Sequence, residues 1–144
     1  MASHVDAQTA GSRPTLLLIE DDVTFASYLL ERLRSLGFDV HWLKDGARAR
    51  LQLRDQPADL LIVDLALPGA DGLSLIAELR QAGMLETTAV VVLTGRFSAA
   101  DVDRATELGV DEYVSKPFNE AAVFERFAAL AERRSNRLAP TRFS

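Results

Sequence analysis

Short apolar runs alternate five times with amphipathic segments along this chain, and that alternation most constrains its fold. The apolar runs predict strands at residues 15–20, 38–42, 59–64, 88–94 and 111–115. The amphipathic segments predict helices at residues 23–36, 45–55, 73–82 and 98–108, and a last helix from 119 to about 134. Strands and helices that alternate in this way form parallel βαβ units. The sequence therefore predicts an α/β fold, a doubly wound five-stranded parallel sheet with five helices on both faces.

Short polar side chains stand where four of the predicted helices begin. Asp22, Ser98 and Asn119 are typical N-cap residues. Asp101, three positions after Ser98, completes a pattern close to a capping box. Asp71 precedes a glycine, which is typical of a turn or a cap. These residues support the predicted helix starts.

Composition limits the kinds of protein this chain can be. Its 144 residues are 48% hydrophobic and 26% charged, which suits one soluble domain. The absence of cysteine excludes disulfides and thiolate chemistry, and a net charge of −5 argues against direct nucleic-acid binding by this domain. No apolar run approaches the roughly 18 residues of a membrane span. Residues 1–14 are predicted to be a disordered leader without a secretory signal, and 135–144 a tail or truncated linker. The expected compartment is the cytoplasm.

Polar residues interrupt or follow the predicted strands at their carboxyl ends. In a doubly wound parallel sheet, ligands bind along this edge. The residues placed there by the pattern are Glu20, Asp21 and Asp22 after the first strand, Asp64 after the third, Thr94 after the fourth and Lys116 after the fifth. We therefore expect several carboxylates, one hydroxyl and one ammonium to share one rim of the sheet.

The chemistry of this set points to phosphoryl transfer. Clustered carboxylates repel one another unless they are protonated or bridged by a cation, and an all-oxygen site suits Mg²⁺. A lysine and a threonine hydroxyl can neutralise and orient phosphate oxygens. An aspartate can itself be the nucleophile and form an acyl phosphate. Together these residues predict a pocket in which an aspartate is phosphorylated.

Four motifs in order, LLLIEDD, LLIVDLALPGADG, VVVLTG and GVDEYVSKPF, make residues 15–134 resemble the receiver domain of two-component response regulators. The spacing also fits, with 43 residues from Asp21 to Asp64, 30 from Asp64 to Thr94 and 22 from Thr94 to Lys116. The resemblance implies a flavodoxin-like sheet of strand order 2-1-3-4-5. It also implies a histidine kinase or phosphotransfer protein as the phosphoryl donor.

The resemblance implies a role for each matching residue at the centre of the pocket. Asp64 corresponds to the phosphoacceptor and Asp21 to the direct magnesium ligand. Glu20 would act on the metal through water. The backbone carbonyl of Ala66 would be another ligand.

The resemblance also implies the residues that read the phosphoryl group. Thr94 corresponds to the switch hydroxyl, Lys116 to the phosphate-pairing lysine and Tyr113 to the aromatic switch. Ala66 and Arg96 occupy variable positions that influence how long the phosphoryl group lasts. The Lys116–Pro117 bond is predicted to be cis, because this is typical of the family and X–Pro bonds adopt cis at modest cost. Gly95, where the family often has alanine, is a small departure from the pattern.

Two alternatives stay open at the level of sequence. An aspartate-nucleophile phosphatase of the haloacid dehalogenase type would need a second aspartate at the position of Ala66. A receiver-like scaffold would bind partners without being phosphorylated. No helix-turn-helix pattern follows the last helix, so a stand-alone protein and a receiver cut from a longer regulator are both compatible. We expect contacts with a downstream protein or an output domain, and a homodimer is compatible. His41 and Trp42 are interpreted as structural residues.

Overall fold

The computed structural model describes residues 13–67 and 69–138 of the chain. Five strands form the main sheet: β1 Thr15–Ile19, β2 Asp39–Leu43, β3 Leu60–Val63, β4 Ala89–Thr94 and β5 Glu112–Ser115. Five helices accompany them within the described residues: α1 Val23–Ser35, α2 Ala49–Asp55, α3 Gly72–Gln81, α4 Ala99–Glu107 and α5 Glu120–Leu138. A two-residue antiparallel pair, Ala66–Leu67 with Ala70–Asp71, lies outside the main sheet and was not predicted.

The main sheet has the order β2-β1-β3-β4-β5, and every pair of neighbouring strands is parallel. The predicted doubly wound fold and its strand order are confirmed. All four residues of β3 and all six of β4 are buried. This burial on both faces explains why these strands are continuous apolar runs without alternation.

Two hydrophobic layers hold the helices against the sheet. Leu16 and Leu18 of β1 belong to one layer, together with apolar residues of α1 and α5. Leu17 and Ile19 point the other way and belong to a second layer with α2, α3 and α4. Successive strand residues face opposite sides of a sheet, so one apolar strand supplies both layers. The helices therefore cover both faces, as the alternation predicts.

The predicted helix caps are confirmed. The side chain of Asp22 accepts a hydrogen bond from the Phe25 N–H, and that of Asp71 accepts one from the Leu73 N–H. Ser98 caps α4 through the N–H of Asp101, and Asn119 accepts from the Ala122 N–H at the start of α5. These bonds use donors that a helix cannot satisfy within itself.

Two predicted helix boundaries were wrong. The second helix begins at Ala49 rather than at 45, because the Asp45 side chain accepts from the Ala47 N–H at 2.9 Å and forms a turn. The last helix continues to Leu138 rather than ending near 134, since neither glycine nor proline occurs between Arg134 and Pro140. Of the predicted leader and tail, residues 1–12 and 139–144 lie outside the described residues. No helix in the described part of the chain has the length and apolarity needed to cross a membrane.

Candidate functional site

Acidic residues from two strands meet at the carboxyl edge of the sheet. Glu20 and Asp21 follow β1, Asp64 follows β3, and oxygen atoms of the three carboxylates all lie within 4.8 Å of one another. Glu20 is 1% exposed and Asp64 6%, whereas Asp21 is exposed to solvent. The structure thus brings together Glu20, Asp21 and Asp64, two of them desolvated. Asp22, which the strand-end rule also placed at this rim, caps α1 instead.

Lys116 closes the site from β5. Its Nζ lies 3.0 Å from Glu20 Oε1 and 3.1 Å from Asp64 Oδ2, and so pairs with two carboxylates at once. The Lys116 N–H donates to the Thr94 carbonyl at 2.8 Å, which ties the residue to the end of β4. The Lys116–Pro117 bond is cis, as predicted. One ammonium cannot neutralise three carboxylates, so the site keeps an excess of negative charge.

The buried carboxyl group of Asp64 remains ionised. Burial acts to raise its pKa, but the Ala66 N–H donor at 3.0 Å and the Lys116 ammonium outweigh that effect, and the pKa is lowered. Asp64 therefore presents an anionic oxygen at neutral pH. This is the state that a nucleophilic carboxylate requires.

The pKa values of Glu20 and Lys116 shift in the opposite direction and are raised. Burial raises the pKa of Glu20, although the Asp22 N–H at 3.1 Å and Lys116 partly offset it. Burial lowers the pKa of Lys116, but hydrogen bonds and attraction to Glu20 and Asp64 dominate, and its pKa is raised. Lys116 therefore remains a cation in this site.

The loop after β3 shapes the site through a close backbone approach. Gly72 begins α3 directly against this loop, and a Cβ there would lie 2.7 Å from the Asp64 backbone oxygen and 2.9 Å from Leu65 Cα. Only glycine permits this approach without a shift of the chain. The backbone of Ala66 pairs with Asp71 in the short antiparallel ladder, which joins the two ends of this loop.

The remaining predicted residues lie on the β4 side of the site. Thr94 is fully buried, and its hydroxyl oxygen accepts a hydrogen bond from the Arg96 N–H at 3.2 Å. The Tyr113 hydroxyl donates to the Arg96 carbonyl at 3.0 Å, and its half-buried ring meets Phe97 edge-on at 6.2 Å. The Arg96 peptide thus lies between the two predicted switch residues.

The Arg96 side chain is engaged in ion pairs. Its guanidinium lies 3.1 Å from Asp101 and 3.4 Å from Asp71, and Arg104 also pairs with Asp71 at 3.1 Å. Together these pairs join the β4–α4 loop and α4 to the start of α3. Both side chains of each pair are partly exposed to solvent, at 23% or more, so each pair contributes little stability by itself.

The donor set fits a hard divalent cation. It consists of carboxylate oxygens, two of them buried, and the described residues place neither His nor Cys among the clustered ligands. Oxygen ligands and excess negative charge suit hard cations such as Mg²⁺, Ca²⁺ and Mn²⁺.

The family profile named response regulator receiver domain matches residues 16–128. The chain belongs to this family. Among curated relatives, QseB of Escherichia coli O157:H7, a transcriptional regulatory protein, is 36% identical over 118 residues. That match covers 82% of this chain and 53% of QseB. The transcriptional regulatory protein CpxR of Escherichia coli is 38% identical over 118 residues, covering 82% of this chain and 49% of CpxR. The chain spans about half the length of the curated relatives it matches.

Solved receiver domains have the same fold. The Francisella response regulator 1452 receiver domain matches with a TM-score of 0.75 at 27% identity, covering 83% of this chain and 98% of that one. The BeF3-activated N-terminal receiver domain of Klebsiella pneumoniae RstA matches with a TM-score of 0.74 at 26% identity, covering 81% and 97%. The resemblance read from the four motifs is therefore confirmed.

Two residues of this receiver domain touch the site and were missed by sequence reasoning. Trp42, interpreted as a structural residue, does pack against the core, but its Nε1–H also donates to the Glu20 carbonyl at 2.8 Å. Phe25 places its ring centroid 4.0 Å from Lys116 Nζ. Trp42 ends an apolar run and Phe25 lies in an amphipathic segment, and nothing in the sequence distinguishes either from an ordinary core residue.

Proposed function

We propose that this receiver domain accepts a phosphoryl group on Asp64 from a histidine kinase or a phosphotransfer protein. The observation that carries the proposal is the convergence of a buried, ionised Asp64 with Lys116 and two further carboxylates at one strand edge. In this reaction an Asp64 oxygen bonds to phosphorus while the bond between phosphorus and the donor histidine nitrogen breaks. The product is an acyl phosphate on Asp64.

The cation we propose for the site is Mg²⁺. Asp21, Asp64 and the backbone carbonyl of Ala66 would hold it directly, and Glu20 through water. When bound, the ion neutralises charge on the transferring phosphoryl group. Lys116 is placed to pair with a phosphoryl oxygen, because its ammonium already lies 3.1 Å from Asp64 Oδ2.

The readout that we propose uses Thr94, Arg96 and Tyr113. A phosphoryl group adds up to about two negative charges and three acceptor oxygens. The Thr94 hydroxyl can donate to one of them by moving toward Asp64, which strains its contact with the Arg96 N–H. Because the Arg96 carbonyl is the acceptor for Tyr113, that movement reaches the ring of Tyr113. The phosphorylated state then favours a different packing of the face formed by α4, β5 and α5.

We propose that a downstream protein or an output domain binds to the face formed by α4, β5 and α5. A homodimer could form through the same face. The named relatives are transcriptional regulatory proteins about twice as long as this match. Their names support a role in transcriptional regulation. We propose that the domain acts in the cytoplasm and that any DNA contacts are made outside this acidic domain. Ala66 and Arg96 would tune the lifetime of the phosphoryl group. The domain acts as a switch that at most catalyses its own phosphorylation and dephosphorylation.

Labelling with acetyl phosphate tests the proposal, with and without Mg²⁺. A stable, stoichiometric, Mg²⁺-dependent acyl phosphate that disappears in Asp64→Asn is the expected result. Rapid turnover of the donor would instead support an aspartate-nucleophile phosphatase, although Ala66 stands where that class needs an acid. The absence of label would support a scaffold that is not phosphorylated. Undiminished label on Asp64→Asn would show that the acceptor is a different residue.

A further inference from the structure

The ammonium of Lys116 is enclosed between charged groups and an aromatic ring. On one side lie Glu20 Oε1 at 3.0 Å and Asp64 Oδ2 at 3.1 Å. Phe25 also contacts it, with its ring centroid 4.0 Å from Nζ. Phe25 is on the first turn of α1, half-buried, and packs against the core layer of α1 and α5. The core therefore holds the ring in place against the Lys116 ammonium.

The ring offers an attraction that differs in kind from that of the carboxylates. A cation within about 6 Å of an aromatic centroid is drawn to the electron-rich face, more strongly where water is partly excluded. The Lys116 side chain is 22% exposed, so this contact is largely desolvated. A hydrogen bond to a carboxylate fixes the direction in which the ammonium points. The attraction to a ring face is less directional, so the ammonium can shift across the face and keep it. The ammonium can thus move toward new phosphoryl oxygens without leaving the ring.

We infer that Phe25 is a positioning residue for phosphoryl transfer, whose ring face holds the Lys116 ammonium beside Asp64 before and after the phosphoryl group arrives. The inference rests on the proposed function, because it assigns Phe25 a role in that same reaction. An aliphatic side chain at this position would fill the same core space but offer no ring face. The identity of the side chain, and not only its volume, is therefore what the site uses.

A neighbouring aromatic residue provides a matched control. Phe25 and Lys116 line a surface cavity of about 340 Å³ together with Tyr28, Pro117, Phe118 and Glu120. Tyr28 is on the same helix and is exposed, but its hydroxyl donates to Glu120. Loss of an aromatic ring at Tyr28 alters the same cavity without removing the ring beneath Lys116.

The test measures the rate of labelling by acetyl phosphate at saturating Mg²⁺ in variants at the two aromatic positions. We expect Phe25→Leu and Phe25→Met to be labelled roughly three- to tenfold more slowly, the range that a partly desolvated cation–ring contact supports. Phe25→Tyr keeps the ring face and should stay within about twofold of the wild type, as should Tyr28→Leu. Wild-type rates in both aliphatic variants would overturn the inference.

A double-mutant cycle separates positioning from general packing. If Phe25 acts through Lys116, Phe25→Leu should slow labelling in the wild-type background and have no further effect on Lys116→Ala. An equal slowing in both backgrounds would mean that Phe25 contributes only to packing, and would refute the inference. Phe25→Met serves in the same cycle if Phe25→Leu does not fold.

NMR distinguishes failure of this inference from failure of the proposed function. The Lys116 ε-methylene protons should show an upfield ring-current shift in the wild type that is lost in Phe25→Leu, whether or not Asp64 is phosphorylated. A wild type that takes no label would refute the proposed function, and with it the role of Phe25, even with the ring-current shift present. A labelled wild type without that shift would refute the role of Phe25 alone.

Discussion

Substituting Gly72 by alanine should destabilise the domain and disturb the site together. The added Cβ would lie 2.7 Å from the Asp64 backbone oxygen and 2.9 Å from Leu65 Cα. Both contacts are with backbone, which cannot move aside as the end of a flexible side chain can. The loop that carries Asp64 must therefore shift away from the start of α3.

The size of the effect follows from two opposing contributions. Overpacking of this kind costs about 1–3 kcal/mol. Gly72 does not have a positive φ, so alanine at this helical position gains about 0.5–1 kcal/mol from a less flexible unfolded chain. Because both close contacts are with backbone, the upper half of the overpacking range applies, about 2–3 kcal/mol, and the net loss is about 1–2.5 kcal/mol of unfolding free energy. For an m-value of about 1.5 kcal/mol/M, the urea midpoint falls by about 1 M.

Gly95→Ala is the matched control, because Gly95 is also at the rim of the site but a Cβ there meets nothing within 4 Å. Gly95 also lacks a positive φ, so its unfolding free energy should equal that of the wild type or exceed it by up to about 1 kcal/mol. The assay is urea unfolding of all three proteins, followed by the rate of acetyl phosphate labelling, which should fall in Gly72→Ala alone. A Gly72→Ala protein as stable as Gly95→Ala, labelled at the wild-type rate, would refute the reasoning from the close approach.

Three further substitutions test the remaining contacts of the site. Asp21→Ala should weaken Mg²⁺ binding, measured by calorimetry, and slow labelling without unfolding the domain; unchanged affinity would remove Asp21 from the proposed ligands. Thr94→Ala should leave Asp64 phosphorylatable but weaken the response of the Tyr113 ring signals to beryllofluoride in NMR spectra, and a full response would show that the coupling bypasses Thr94. Trp42→Phe removes the donor to the Glu20 carbonyl at 2.8 Å and should cost about 0.5–1.5 kcal/mol in urea unfolding; a wild-type midpoint would mean that water replaces the indole.

The fold could be predicted from the sequence because its determinants are local. Short, valine-rich apolar runs such as Val90 to Leu93 favour strands buried on both faces. The helices between them favour parallel pairing. The caps at Asp22 and Ser98 were likewise predictable, since each bonds to an N–H three residues further along the chain. Two predicted helix boundaries were wrong. A turn formed by the Asp45 side chain delays the start of the second helix, and the last helix extends past 134 because no helix-breaking residue follows there.

The sequence by itself also determined which residues meet at the strand edge. Asp64, Thr94 and Lys116 each end or follow a strand, and in a parallel sheet all such positions converge. Only the tertiary structure decided which atoms then touch. Lys116 bridges Glu20, 96 residues away, and Asp64, 52 residues away, because β1, β3 and β5 bring their ends to one edge in a fixed register.

The tertiary structure alone also decided the contacts of Phe25 and Gly72. Phe25 occupies an apolar helix position like any other, and its ring lies beneath Lys116 only because α1 packs on the sheet beside the β5–α5 loop. From the sequence, Gly72 is a glycine at the start of a helix like any other. Glycine is needed there because a Cβ would lie 2.7 Å from the Asp64 backbone oxygen. Such contacts join segments distant in sequence, and they depend on helix position to within about an ångström. Local patterns of polarity carry no information at that scale, because they fix which face of an element is buried and not what lies against it.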